Sequence, residues 1–511
     1  MNFWGRFFGN YFWASFVFGV LGIFLAFPNP VLQIPFLIFL FFLGINLIAF
    51  RARSKKEAFR QALLVSGPAY ALALYWIVVP VHVYGHFPFL LALFCPVLLG
   101  FIIGAFSSAY VVLVYSVRES FSWLPLGIIG GAFWAALEFL REYAFSGFPW
   151  LVSAQAFSLW PESIQAVSVI GSFGLGMFMA CAGLWLSFGK KYSVAAALVV
   201  LFLLLGHGFF LDQEKEYPGP SKDILVVQGN IEQDIKWEEE IQLKTVRKYK
   251  DLTVEGMGEH SPDLVIWPET ALPFYFQESS RMSDLVRDFV QKQGIHLITG
   301  SPAYEMAEDG REYQLYNRAF WISPQGKILD YYDKEHLVPF GEYIPWSEYF
   351  PFLDRLVAGP IDFTSGYVTE PMVQEDLASG MLICYEIIFP GLVRDRVAQG
   401  ANLLVNISND AWFGETSAPE QHLHLSVLRA VEQNRFVVRS TNTGISAFID
   451  PQGRVYKSSS LFQDATVRED IHLLDETTFY HNWHWPIHWS FVGISLLGLA
   501  LHFFRRKQST S

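Results

Sequence analysis

The sequence predicts a multi-span α-helical membrane domain joined to a layered α/β domain outside the cytoplasm. Three observations predict it. Hydrophobic residues make up 52% of the 511 positions and charged ones 16%, with 48 Phe and 16 Trp, far from an ordinary soluble composition. The apolar excess is uneven: up to about residue 211 long stretches carry almost no charge, 212–486 has a normal globular mixture, and 487–504 is apolar again. Within the middle block, short β-rich runs alternate with stretches of helical periodicity.

About eight stretches are long enough to cross a bilayer as helices. They lie near 11–27, 31–50, 58–79, 89–116, 124–143, 163–188, 193–211 and 487–504. Seven precede the globular block and one follows it, which divides the chain into a membrane domain at 1–211, a globular domain at 212–486 and a closing span with its tail at 487–511. The short connections set the orientation. Arg6, then Arg51, Arg53, Lys55 and Lys56, then Arg118, then Lys190 and Lys191, and finally Arg505, Arg506 and Lys507 fall at alternate span ends. The opposite ends, PNP (28–30), VHVYGHFP (81–88) and the segment after Arg141, hold almost no Lys or Arg. By the positive-inside tendency both termini are cytoplasmic and 212–486 lies outside. A second span follows the first within a few residues and no small-residue cleavage site stands out, so the first run reads as an uncleaved helix rather than a signal peptide.

In the outer block, DILVVQGNI (223–231), DLVIWPET (263–270), IHLITGS (295–301), MLICYE (381–386), NLLVNISND (402–410) and RFVVRSTNTG (435–444) read as strands. EEEIQLKTVRKYKDLTVEGM and SDLVRDFVQKQG have helical spacing. VVQGNI and LLVNIS are apolar without alternation, as strands buried on both faces are. SPQGK (323–327) after AFWI and DPQGR (450–454) after SAFI signal hairpins, so the expected sheet is mixed.

A net charge of -12 argues against a nucleic-acid partner, because phosphate backbones need a basic surface. Gly-rich phosphate loops, heptads, repeats and metal-site histidine spacing are not apparent, so neither cofactor nor metal is expected. His422 and His424, one residue apart at a helix start, do not make a metal signature. Of the three cysteines, Cys95 and Cys181 fall in expected spans, which leaves Cys384 alone in the outer block. A thiol outside the cytoplasm with no internal partner is either buried packing or kept for chemistry.

Polar residues directly after buried strands gather along one edge of such sheets. Glu269 follows DLVIW, Lys334 follows ILDYYD, and Cys384 ends MLIC. A free thiol, with a pKa near about 8.5, is mostly protonated at neutral pH, so a positioned base improves its attack. Glu269 is a candidate for that base. The Lys334 ammonium, with backbone N–H groups near Cys384, is a candidate to stabilise an oxyanion, at about 3 kcal/mol per donor. The same residues also admit a plain alternative, a Glu269–Lys334 surface pair beside a core thiol.

WPET, DKEHLVPFGEYIP and CYEIIFP, in this order and spacing, resemble the nitrilase superfamily of carbon-nitrogen hydrolases with its Glu-Lys-Cys triad. With the spans around them, nearly the whole chain is similar to the bacterial apolipoprotein N-acyltransferase family. The resemblance implies a nitrilase-like αββα domain with Glu269 as base, Lys334 as oxyanion stabiliser and Cys384 as nucleophile. It implies transfer of a fatty acyl chain from a phospholipid, phosphatidylethanolamine being favoured, through a Cys384 thioester. The acceptor would be the α-amine of a diacylglyceryl-cysteine at an apolipoprotein N-terminus, in the last step of lipoprotein maturation. It implies a monomer in the bacterial inner membrane with its catalytic domain in the periplasm. Glu342 in PFGEYIP corresponds to a further active-site carboxylate that would keep Lys334 charged, and Tyr385 and Glu386 follow the nucleophile as in the family. Trp237 in NIEQDIKW and Trp412 in NDAWFG match tryptophans of mobile loops over the lipid site. ALPFYF (271–276) and YFPFLDRLVAGPI (349–361) are expected to line an acyl groove or dip into the interface, or else to be ordinary core.

Glu138 and Arg141, near the outer end of the fifth span, read most simply as a local ion pair on one helix face; SGFPW (146–150) also resembles the family, which leaves a role in supporting the lipid entry or the domain interface as the functional alternative. Two rivals remain for the whole chain. A membrane-tethered amidase or nitrilase would use the same trio on a small amide, and a scaffold would bind envelope partners without catalysis.

Overall fold

Between residues 10 and 210 the chain is built of helices and their connections, because long apolar runs without charge have no other way to satisfy their backbone in lipid. The computed structural model describes residues 10–210, 216–232, 239–307, 310, 312–345 and 362–510. Its first helices are α1 (Asn10–Ala26), α2 (Ile38–Arg51), α3 (Lys55–Ala73), α4 (Phe89–Val117), α5 (Trp123–Tyr143), α6 (Val167–Ser187) and α7 (Lys191–Gly206), and α12 (Phe479–Thr510) returns to pack beside α5 and α6. By length and composition α4, α5, α6 and Phe479–Gln508 can cross a membrane. The run near 58–79 is not one straight helix: Lys55–Ala73 and Tyr75–Tyr84 meet at a 60° bend. Tyr11–Ala26, Pro35–Arg51 and Lys191–Gly206 are apolar but shorter.

The basic connections share one end of this bundle. Arg118 donates to the Ala49 carbonyl, Ser120 Oγ lies 2.6 Å from His502 Nδ1, and the Phe50 and Phe188 rings are 5.1 Å apart. The closing helix starts at Phe479, earlier than its apolar run at 487–504, with Pro486 inside it and a non-helical Trp483 just before. Its HNWHWPIHW stretch turns His484 and His488 into the bundle and leaves Trp483, Trp485 and Trp489 exposed, the arrangement of an interfacial aromatic belt.

The middle block forms two six-stranded sheets. β1 (Ser221–Gln228), β2 (Leu264–Ile266), β3 (Leu297–Met306), β4 (Tyr313–Ile322), β5 (Ile328–Asp333) and β12 (Ala465–His472) pair in the order β12-β1-β2-β3-β4-β5. β6 (Met372–Gln374), β7 (Leu377–Ile383), β8 (Leu403–Ser408), β9 (Val437–Thr441), β10 (Ala447–Ile449) and β11 (Val455–Ser458) pair in the order β11-β10-β9-β8-β7-β6. β1–β2–β3 and β7–β8–β9 are parallel, and the hairpins β4–β5 and β10–β11 turn at the strings that predicted them. The left-handed residue each turn needs is a glycine, Gly326 or Gly453. β12 escapes sequence reading because ATVREDIH is charged; it is an edge strand whose Arg468 pairs with Asp223 on β1.

Strand alternation sorts the core into layers. Ile224, Val226, Ile266 and Ile298 face Met381, Ile383, Val405 and Ile407 between the sheets. Leu225, Val227, Val265 and Leu297 pack under α8 (Glu239–Met257) and α9 (Arg281–Gln293). Leu382, Leu404 and Val437, on the far side of the second sheet, join α10 (Pro390–Ala398) and α11 (Ala418–Gln433) in a core continuous with the membrane helices. The result is the αββα order, with its last layer shared with the bundle. ALPFYF does not line a groove: Ala271, Leu272 and Phe276 are fully buried in the layer under α8 and α9. YFPFLDRLVAGPI lies outside the described residues.

Candidate active site

Three strands of the two sheets end beside one another, and the first polar residue past each strand turns into a common space. Glu269 comes just after β2, Lys334 directly after β5 and Cys384 directly after β7. Lys334 Nζ lies 2.9 Å from the Glu342 carboxylate and 3.7 Å from Glu269 Oε1. Asn317 Nδ2, from β4, donates to Glu269 Oε1 at 2.7 Å and to Glu342 Oε1 at 3.0 Å. The Asn409 amide donates to Glu269 Oε2 at 2.8 Å, and the Val338 amide to Glu342 Oε2 at 2.8 Å. Both carboxylates are therefore held by donors on two sides. Lys334 is 1% exposed, Glu269 6% and Cys384 8%, so nothing here resembles the surface pair that the sequence also allowed.

This packing sets the charges. Burial works against the Lys334 ammonium, but Glu342 first, then Glu269 and Cys384, outweigh it and hold its pKa above the usual lysine range. Burial pushes the Cys384 thiol up and the Glu269 carboxylate adds to this, while Lys334 offsets part of the effect. The resting group is a thiol beside a fixed carboxylate and a fixed ammonium. Its backbone sits at φ 54°, a left-handed conformation that costs a non-glycine residue about 1 kcal/mol and throws the side chain out of the strand line.

Glu386 and Tyr385 do structural tasks beside Cys384. The buried Glu386 carboxylate accepts from the Ile383 amide at 2.6 Å, the Glu335 amide at 2.7 Å, the His336 amide at 3.0 Å and the Tyr332 hydroxyl at 2.7 Å. It thereby ties the segment after Lys334 to the strand before Cys384. Tyr385 donates its hydroxyl to the Gly147 carbonyl at 2.9 Å, and His336 Nε2 donates to the Ser146 carbonyl at 2.8 Å. The SGFPW segment of the membrane domain thus docks on the loops that follow Lys334 and Cys384.

Trp412 is 40% exposed at the seam between the domains, 4.9 Å from the Tyr84 ring. Trp237 lies outside the described residues. Glu138 departs from the local ion pair: its Oε1 accepts from the Ser153 amide at 2.8 Å and the Ser153 hydroxyl at 2.9 Å, anchoring the turn that follows SGFPW. Among the described residues no group of three or more His, Cys, Asp or Glu is arranged to hold a metal.

Asn317, Asn409 and a buried set formed by Asn406, Ser408, Asp410, His422 and Arg439 were not read from the sequence as part of the site, His422 having been weighed only as a metal ligand. Asn317 had one signal, a lone amide inside the apolar LYNRAFWI. Asn409 and Asp410 had another, a polar pair past LLVNIS.

Residues 225–478 match the carbon-nitrogen hydrolase family, and residues 18–185 match the apolipoprotein N-acyltransferase N-terminal domain. The apolipoprotein N-acyltransferase of Geobacter metallireducens is 34% identical over 496 residues, covering 94% of this chain and 93% of its own. That of Pseudomonas syringae is 31% identical over 459 residues, 86% of this chain and 88% of its own. That of Brucella melitensis is 35% identical over 362 residues, 68% of this chain and 67% of its own. Among solved structures, Saccharomyces cerevisiae Nit3 of the nitrilase superfamily aligns with 49% of this chain and 90% of its own at 17% identity and a TM-score of 0.38.

Proposed function

The chain belongs to the apolipoprotein N-acyltransferase family, and from that premise we propose how its site carries an acyl group from lipid to protein. It is a membrane acyltransferase of the carbon-nitrogen hydrolase superfamily. Glu269 takes the Cys384 proton as the sulfur attacks an ester carbonyl of a phospholipid, phosphatidylethanolamine by family resemblance. Charge developing on the carbonyl oxygen falls to Lys334 Nζ and the backbone N–H groups after Cys384. The tetrahedral adduct collapses by breaking the C–O ester bond. The departing lysophospholipid oxygen takes the proton from Glu269, leaving an acyl thioester. The α-amine of a diacylglyceryl-cysteine then attacks that thioester, Glu269 accepts the amine proton and returns it to the departing sulfur, and an amide and a free thiol result. Glu342 and Asn317 keep Lys334 charged and Glu269 aimed throughout.

One observation carries this reading: a buried ammonium fixed between two carboxylates beside a strained, protonated thiol. The match of residues 18–185 favours transfer over hydrolysis of a small amide. Acyl chains cost about 0.8 kcal/mol per CH₂ to move into water, which favours a nucleophile layer fused to the bundle. The orientation follows from charge. The basic end of the bundle faces the cytoplasm of an inner membrane, the docking end faces the periplasm, and the three shorter helices complete eight crossings. The exposure of Trp412 beside Tyr84 supports its assignment to a loop over the lipid site.

The test is mass spectrometry of the purified protein after incubation with phosphatidylethanolamine and no acceptor. A hydroxylamine-labile acyl group on the Cys384 peptide, with lysophospholipid released, is expected. Absence of both rejects the thioester route.

A further inference from the structure

The backbone of the nucleophile is held from α11, a helix with no part in the steps above. His422 on that helix is fully buried, and its Nε2 lies 3.2 Å from the Cys384 carbonyl oxygen. Asn406 Nδ2 donates to the same oxygen at 3.3 Å. A carbonyl only accepts, so Nε2 carries the hydrogen. Nδ1 then offers a lone pair, and Arg439 Nη2 at 2.9 Å supplies the hydrogen it accepts. The same Nη2 lies 2.7 Å from Asp410 Oδ2, so one guanidinium faces both the ring and the carboxylate whose Oδ1 is 3.2 Å from Nδ1. Burial first, and the Arg439 charge after it, keep the His422 pKa below the usual imidazole range, which fixes the neutral ring in this tautomer. Asp410 Oδ1 also accepts the Ser408 hydroxyl at 2.7 Å.

The direction of that carbonyl matters. The chain has no cis peptides among the described residues, and a trans peptide points its C=O and N–H opposite ways. A Cys384 carbonyl drawn toward α11 turns the Tyr385 N–H back into the space between the sheets, where the Cys384 side chain lies. We propose that His422 is a positioning residue for acyl transfer: by holding the Cys384 carbonyl it aims the Tyr385 N–H, with Lys334, at the oxygen of the tetrahedral adduct. This rests on the thioester route proposed above.

Two reactions of the same sulfur separate positioning from general damage. Alkylation by iodoacetamide displaces iodide and develops no oxyanion, whereas acylation by phosphatidylethanolamine does. Both rates are measured at Cys384 in the full chain in lipid nanodiscs. His422→Met, which fills the site without a donor, is expected to slow acylation about a hundred- to a thousandfold, with alkylation unchanged. His422→Gln, whose amide N–H reaches the same carbonyl, is expected to recover much of the loss. Equal falls in both rates, or an unchanged acylation rate, overturn the proposal. Asn406→Ala removes the other donor and decides the matter if His422→Met does not fold: acylation again falls selectively, and parallel falls reject the idea. A wild-type protein that is alkylated but never acylated refutes the thioester route itself, a distinct result.

Discussion

Helices α9 and α11 occupy equivalent layers of the αββα domain, one on each outer face, yet one is wet and the other dry. α9 buries Met282, Val286, Phe289 and Val290 and leaves its charged face in water, between a Ser280 cap and a left-handed Gly294. α11 exposes only Glu420. Its polar residues are spent on buried partners. Gln421 Oε1 accepts from Trp76 Nε1 at 3.1 Å and Trp150 Nε1 at 2.8 Å, and its Nε2 donates to the Pro28 carbonyl at 3.0 Å. Arg429 pairs with Glu432 at 3.0 Å, and Glu432 accepts the Ser172 amide at 2.8 Å. The Glu269 carboxylate and the Lys334 ammonium thus come from the sheet under wet helices, while the Cys384 thiol comes from the sheet under the dry one. The dry layer joins membrane bundle to Cys384, and its residues 421 and 422 reach toward the two in turn.

The largest expected effect tests the division of labour between the halves. Glu269→Gln removes the proton acceptor of the wet half, and single-turnover acylation is expected to fall by about a hundred- to ten-thousandfold while Cys384 stays open to alkylation. Acylation within threefold of wild type would break the comparison, because the nucleophile half would then be working alone.

A second pair of substitutions probes the layers directly. Arg429→Met leaves Glu432 buried without its partner and is expected to cost about 3–5 kcal/mol, whereas Lys292→Met on the open face of α9 is expected to change stability by less than about 0.5 kcal/mol. Thermal unfolding in detergent measures both. Equal shifts would mean that the fourth layer is no more committed than the first.

The smallest effect concerns the loop that docks on Tyr385. Glu138→Gln keeps an acceptor for Ser153 but loses the charge, a difference of about 1 kcal/mol, so acyl transfer is expected to fall several-fold. Unchanged turnover at normal membrane yield would remove Glu138 from the docking path.

Much of the site was legible because it is local. Glu269 and Cys384 each sit at the end of a buried run, visible as apolar sequence, whereas Lys334 follows the largely open ILDYYD strand and was legible from its place at a strand end alone. Both hairpins were legible for the same reason, each turn carrying its own glycine. β12 was not, since its strand character comes from pairing with β1, more than two hundred residues away, rather than from its own composition. The ALPFYF string shows the opposite failure: apolarity announced burial but not which surface would cover it.

By itself the sequence determined where apolar mass accumulates, which strand ends present a carboxylate, an ammonium and a thiol, and on which ends of the spans the basic charge collects. Only the tertiary structure decided that His422 meets the Cys384 carbonyl, that Gln421 seizes the membrane loops, and that Glu138 hydrogen-bonds Ser153. The reason is physical. Periodicity records whether a side chain leaves water, whereas a buried polar group is defined by its partner, and these partners come from elements that meet only when the chain has folded.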